Sequence, residues 1–123
     1  MKTLILASVL ASAISTAAAQ EATPYYSILS VTPTTDEWVA DYLPVANQRV
    51  AAHGGKFLAR TSNHERVEGD RDDAALQIII EWPSREAAEA FVNDPEYSPH
   101  LKARTEGSVS HHVLVEGKDA LAN

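Results

Sequence analysis

Leu76-Gln77-Ile78-Ile79-Ile80-Glu81-Trp82, followed at once by Pro83-Ser84, is the stretch from which the rest of the chain can be read. Alternation with period two puts Leu76, Ile78, Ile80 and Trp82 on one face of a strand, and Gln77, Ile79 and Glu81 on the other. The first face is core and the second is mixed. Pro83 and Ser84 stop the strand and start a helix in which Ala87, Ala88, Phe91 and Val92 form an apolar stripe. Asp94 followed by Pro95 has the form of an N-cap and first helical position, so a further helical segment is predicted from Pro95 to Glu106. Gly107 closes it. Val109 to Val115 then reads as the last strand, with Val109, His111, Val113 and Val115 opposite Ser110, His112 and Leu114.

Upstream, Tyr25 to Val31 is rich in aromatic and β-branched residues and reads as the first strand, ended by Pro33. Thr34 and Glu37 are spaced as a capping box. Trp38, Val39, Tyr42, Leu43, Ala46 and Val50 recur at helical spacing to about Ala52, with a kink expected at Pro44. Gly54 and Gly55 turn the chain into a strand over Lys56–Thr61. Ser62-Asn63 is expected to form a bulge, after which Glu65–Val67 continues the strand, before Gly69, Asp70 and Arg71–Asp73 reverse the chain. The order is β-α-β-β-α-β, a ferredoxin-like α+β fold with a four-stranded antiparallel sheet and both helices on one face. Its second face requires a cover, most simply a twin subunit.

Composition narrows the function. Lys2, the apolar run Leu4–Ile14 and the small residues Ala17, Ala18 and Ala19 before Gln20 have the pattern of a secretory signal peptide over residues 1–19. That leaves residues 20–123 as a single domain, periplasmic or secreted, with no membrane attachment after cleavage. The net charge of −7 argues against a nucleic-acid partner, and the absence of cysteine excludes thiol chemistry and disulfides. No phosphate loop, dinucleotide fingerprint or Ser-His-Asp spacing is present. Neither a cofactor nor a metal is expected. His111 and His112, adjacent on a strand, point to opposite faces and cannot chelate one ion together.

Four motifs carry a resemblance: His53-Gly54-Gly55-Lys56-Phe57-Leu58-Ala59-Arg60, Val67-Glu68-Gly69-Asp70, Ile80-Glu81-Trp82-Pro83-Ser84-Arg85-Glu86-Ala87-Ala88 and Asp94-Pro95-Glu96-Tyr97. In this order they resemble the domain-of-unknown-function 1330 family. The resemblance implies a homodimeric α+β barrel enclosing a pocket, akin to small monooxygenases and isomerases, and carries over Arg60, Asp70, Glu81 and Tyr97. Where family members usually have small glycines after the Ala-Arg pair, this chain has Thr61, Ser62, Asn63 and His64.

The candidate site residues each have two readings. Arg60 and Glu81, on neighbouring strands, are placed to pair, the cation orienting an acidic ligand and the carboxylate acting as base. A structural ion pair fixing hairpin register or the dimer is the favoured alternative. Tyr97 is either a pocket donor or, more simply, an anchor of its helix, and Asp70 either contacts a ligand or forms the turn. His112 is placed with Glu81 as an acid-base pair. The leading functional expectation is a homodimer binding a small, partly apolar organic molecule between sheet and helices. The alternatives are a cofactor-independent monooxygenase or isomerase using Glu81 or His112 as base, and a structural dimer without ligand.

Overall fold

The computed structural model describes residues 22–122. The signal peptide assigned to residues 1–19, and with it the exported location, lies outside the described residues. Among those residues no helix is long and apolar enough to cross a membrane. The elements are β1 (Tyr25–Pro33), α1 (Val39–Ala52), β2 (Lys56–Thr61), β3 (Leu76–Trp82), α2 (Arg85–Val92), α3 (Ser98–Glu106) and β4 (Ser108–Glu116). The strands form one antiparallel sheet in the order β2-β3-β1-β4, as the ferredoxin-like pattern requires.

This sheet does not close. β2 and β4 lie at opposite edges with β3 and β1 between them, and no ladder joins the two edge strands. The α+β barrel implied by the family resemblance is therefore corrected to an open four-stranded sheet with helices packed on one face.

The alternation read in β3 decides which face the helices cover. Ile80 and Trp82 are buried, and on the neighbouring strand Ser27, Leu29 and Val31 are buried beside them. Ala46 and Val50 of α1, Ala88 and Phe91 of α2, and Tyr97 close over this surface, with the Phe91 ring 5.1 Å from Trp82 and 4.2 Å from Tyr97. Each large side chain fully buried here contributes about 1.5–3 kcal/mol. Ser84 caps α2, its hydroxyl accepting a hydrogen bond from the Ala87 N–H at 3.1 Å. Gly54, at φ 77°, supplies the left-handed turn into β2.

α3 starts at Ser98, with Tyr97 and not Asp94 at its N-cap, and three further local expectations change. The Thr34–Glu37 capping box does not form, and α1 starts only at Val39. The carbonyl of Gly107 instead accepts from the Thr34 and Thr35 N–H groups (2.9 and 3.3 Å) and from Trp38 Nε1 (3.0 Å), which ties this segment to the end of α3. Glu65–Val67 is not a strand. It belongs to a loop over residues 62–75, where Val67 is 95% exposed and Arg66 pairs with Asp73 at 3.3 Å. The β2 irregularity lies at Leu58, not after Thr61: Phe57 faces Ile80, whereas Ala59 faces Ile79. One extra residue on β2 moves everything after it to the opposite face.

Candidate functional site

That bulge builds part of the site. It brings Arg60 opposite Ile78, on the helix-covered face, and so to the same side as Phe57, three residues away. The Arg60 guanidinium stacks 3.9 Å from the Phe57 ring centre, and its Nη1 donates to Asn47 Oδ1 on α1 at 2.6 Å. Glu81 stays opposite Lys56 and Tyr26 on the open face, where it accepts a hydrogen bond from the Tyr26 hydroxyl at 3.2 Å. The expected Arg60–Glu81 pair therefore does not exist, in either its catalytic or its structural version.

Between the sheet and the helices lies a cavity of about 200 Å³ with mostly apolar walls, including Leu29, Val50, Phe57, Ile80, Phe91 and Leu101. Its polar lining comes from Arg60, Tyr42, Tyr97, Arg104, Thr105, Ser110 and His112. Of the residues singled out in the sequence, Arg60, Tyr97 and His112 meet here. Glu81 and Asp70 do not: Glu81 is on the other side of the sheet, and Asp70 is an exposed loop residue next to Gly69, whose φ of 96° makes the turn. His112 cannot join Glu81 as an acid-base pair, because it lies opposite Leu29 on the covered face.

His112 Nε2 is 2.8 Å from the Ser27 hydroxyl, which also accepts from Trp82 Nε1 at 2.8 Å. The Ser27 oxygen keeps a second lone pair, so it can accept from His112 Nε2–H as well, the tautomer that leaves the Nδ1 lone pair free to take a proton. Burial first, and then the nearby Arg104 charge, push the His112 pKa below its ordinary value of 6.5, so the ring is neutral at pH 7. Tyr97 shares a 2.7 Å hydrogen bond with the Tyr42 hydroxyl, and burial raises its pKa, so it remains a neutral phenol.

Arg104, Ser27 and Tyr42 were not singled out in the sequence. For Arg104 a signal existed: it follows Tyr97 by seven residues and Leu101 by three, which places a cation on the apolar face of its helix. A shallower hollow of about 770 Å³ lies on the open face under the 62–75 loop, lined by Ile28, Gln77, His111 and Val113 among others. It lacks the convergence of buried polar groups found on the covered side. Among the described residues no group of three or more His, Asp or Glu side chains is placed to hold a metal ion.

The fold is shared with solved structures of low sequence identity. The RPA0582 protein of unknown function from Rhodopseudomonas palustris is similar at a TM-score of 0.66 and 21% identity, over 79% of this chain and 84% of that one. SnoaB, a cofactor-independent oxygenase from Streptomyces nogalater, is similar at a TM-score of 0.50 and 22% identity, over 83% of this chain and 100% of that one. Likeness of this degree concerns architecture. No curated protein matches the chain. A family model described as domain of unknown function (DUF1330) matches residues 24–118. Since this match takes in every strand and helix of the sheet and its cover, the chain belongs to the DUF1330 family.

Proposed function

We propose that the protein is a cofactor-independent enzyme of the oxygenase or isomerase type, acting on a small, partly apolar organic molecule held in the cavity between sheet and helices. The observation that carries this reading is the cavity itself: about 200 Å³ of mostly apolar space around which a neutral imidazole, a phenol pair and guanidinium groups converge. The fold held in common with a cofactor-independent oxygenase is compatible with it. In such chemistry His112 takes a proton from an acidic C–H or O–H of the substrate, and the resulting enolate-like anion lies in the field of the guanidinium groups. An isomerase returns the proton to a different atom. An oxygenase lets the anion reduce dioxygen, forming a carbon–oxygen bond as a peroxide that takes back the proton from His112 and, at a CH2 carbon, loses water to leave a carbonyl.

The test is deuterium incorporation from solvent, together with oxygen uptake, over a panel of small enolisable cyclic ketones. Turnover in the native protein should fall by about 10²–10⁴-fold in His112→Gln, with binding retained. One observation favours a second reading, in which the protein binds without reacting: Ser27 already occupies His112 Nε2. Saturable binding across the panel with neither exchange nor oxygen uptake would select that reading and reject the enzyme.

A homodimer belongs to the same proposal. Ile28, Val109, Val113 and Val115 are 38–56% exposed on the open face, an apolar surface that a second copy would cover. Sedimentation equilibrium giving a monomer at micromolar concentration would reject it.

A further inference from the structure

Arg104 is the least explained group in the molecule. It is a residue of α3, its side chain is buried at 4% exposure, and it lines the cavity. Neither Nε nor Nη1 has a hydrogen-bond partner. The Tyr42 ring, with its centre 5.9 Å from the guanidinium carbon, offers a weak cation–π contact and no lone pair for those donors. Arginine does not shed its proton, so the buried charge persists.

The carboxylates nearby are committed elsewhere. Asp94 is held by Arg49 and His53 at 2.7 Å each, and Glu106 pairs with Lys102. None of the residues lining the cavity is an aspartate or glutamate, although the whole chain carries a net charge of −7. An acidic protein has thus placed two arginines and no acid around one apolar chamber. Surface carboxylates are screened over about 8 Å at physiological salt, whereas a buried guanidinium is not, so the local field inside favours an anion.

From this we infer that the cavity takes an organic monocarboxylate, with its apolar body against Phe91 and Leu101 and its carboxylate on Arg104. The inference rests on the cavity being the ligand site, as proposed above, and adds the charge class of the ligand and the residue that selects it. A single charge is indicated because Arg60, the other guanidinium, is already stacked on Phe57 and bonded to Asn47, whereas Nε and Nη1 of Arg104 have no hydrogen-bond partner. In effect the missing partner of Arg104 arrives with the ligand, which converts an unfavourable buried charge into a charge-assisted pair. Arg104 is then the specificity-determining residue of the site.

Benzoate and benzamide, equal in shape and different in charge, serve as probes in calorimetric titration and in NMR of the full chain. Native protein should bind benzoate about tenfold or more tightly than benzamide, with shifts at Phe91, Tyr97 and Leu101. In Arg104→Met the preference should vanish, while the ligand-free protein becomes no less stable, since an unpaired buried charge has been replaced by an apolar chain of similar length. Equal binding of the two probes by native protein would overturn the anion assignment and leave the cavity reading intact. A benzoate preference that survives in Arg104→Met would overturn Arg104 as its source. Failure of both probes to shift any cavity residue in the native protein would overturn the cavity as a ligand site, and the proposed function with it. Should Arg104→Met not fold, the native benzoate-to-benzamide ratio still decides the charge class. Arg104→Lys, which keeps the charge but loses the planar fork, should then show a reduced preference.

Discussion

Replacing Ser27 by Ala deletes a single oxygen at the seam between the core and the candidate site. Ser27 is 1% exposed and Trp82 is completely buried, and the Trp82 Nε1–H donates to the Ser27 hydroxyl at 2.8 Å. Without that oxygen the indole N–H is left in a dry interior with no acceptor, at a cost of about 1–3 kcal/mol. The space vacated is too small for a water molecule, which occupies about 30 Å³ in the liquid, so solvent does not repair the loss. His112 adds little to the cost, because it lies on the exposed edge strand β4. We therefore expect about 2 kcal/mol of lost stability, equivalent to a fall in Tm of about 8–16 °C for a domain of this size. Urea unfolding followed by tryptophan fluorescence measures it. The decisive comparison is a double-mutant cycle with Trp82→Phe, read by circular dichroism. With no indole N–H to orphan, Ser27→Ala should cost only about 0.5 kcal/mol or less in that background. An equal cost in both backgrounds, or a cost under about 0.5 kcal/mol in the native protein, would show that the Ser27–Trp82 bond does not organise this seam.

Gly55→Ala would place a Cβ 2.5 Å from Trp82 Cζ3 and 2.8 Å from Val50 Cγ1, both buried, and overpacking of this kind should cost about 1–3 kcal/mol in urea unfolding. His112 should titrate below its ordinary 6.5 in a proton NMR titration, and Arg104→Met should move the midpoint upward, because it removes one of the two causes of the depression. With the folded pKa depressed, the neutral ring is favoured in the fold. Stability is therefore unaffected above pH 6.5 and is lost as the pH falls through the folded value. Asp94 is held at about 2, against an ordinary 3.8, by its hydrogen bond to His53 and then by Arg49 and the Glu96 N–H. Its contribution is complete above pH 3.8 and is lost as the pH falls towards 2, so urea midpoints should drop across that window in the native protein and stay flatter in Asp94→Asn.

Much of the architecture is a local matter and could be read directly. β2 and β3 occupy the residues predicted for them, because Gly54 and Gly55 before β2 and Pro83-Ser84 after β3 punctuate the chain through their own backbone chemistry. The core face of β3 follows from strict alternation over seven residues. From such signals the sequence alone determined an α+β chain with a four-stranded antiparallel sheet and the order of its strands and helices, whereas the barrel implied by the family resemblance was not borne out.

What remained was decided by groups far apart in the chain. The start of α1 is set by the carbonyl of Gly107, 69 residues from the Trp38 that donates to it, so a local capping pattern at Thr34 had no authority there. The bulge at Leu58 is an event of pairing with β3, and it alone separates Arg60 from Glu81 by the thickness of the sheet. Whether the sheet closes depends on where its edge strands come to lie, a relation that the residues of neither edge contain. Arg104 illustrates the same limit, since its charge is visible in the sequence while the unpartnered state of its Nε and Nη1 exists only once α3 has been laid on the sheet. Periodicity reports how a segment meets its immediate surroundings. Pairing, register and the solvation of a charge are properties of two or more segments together, and the tertiary structure supplied them.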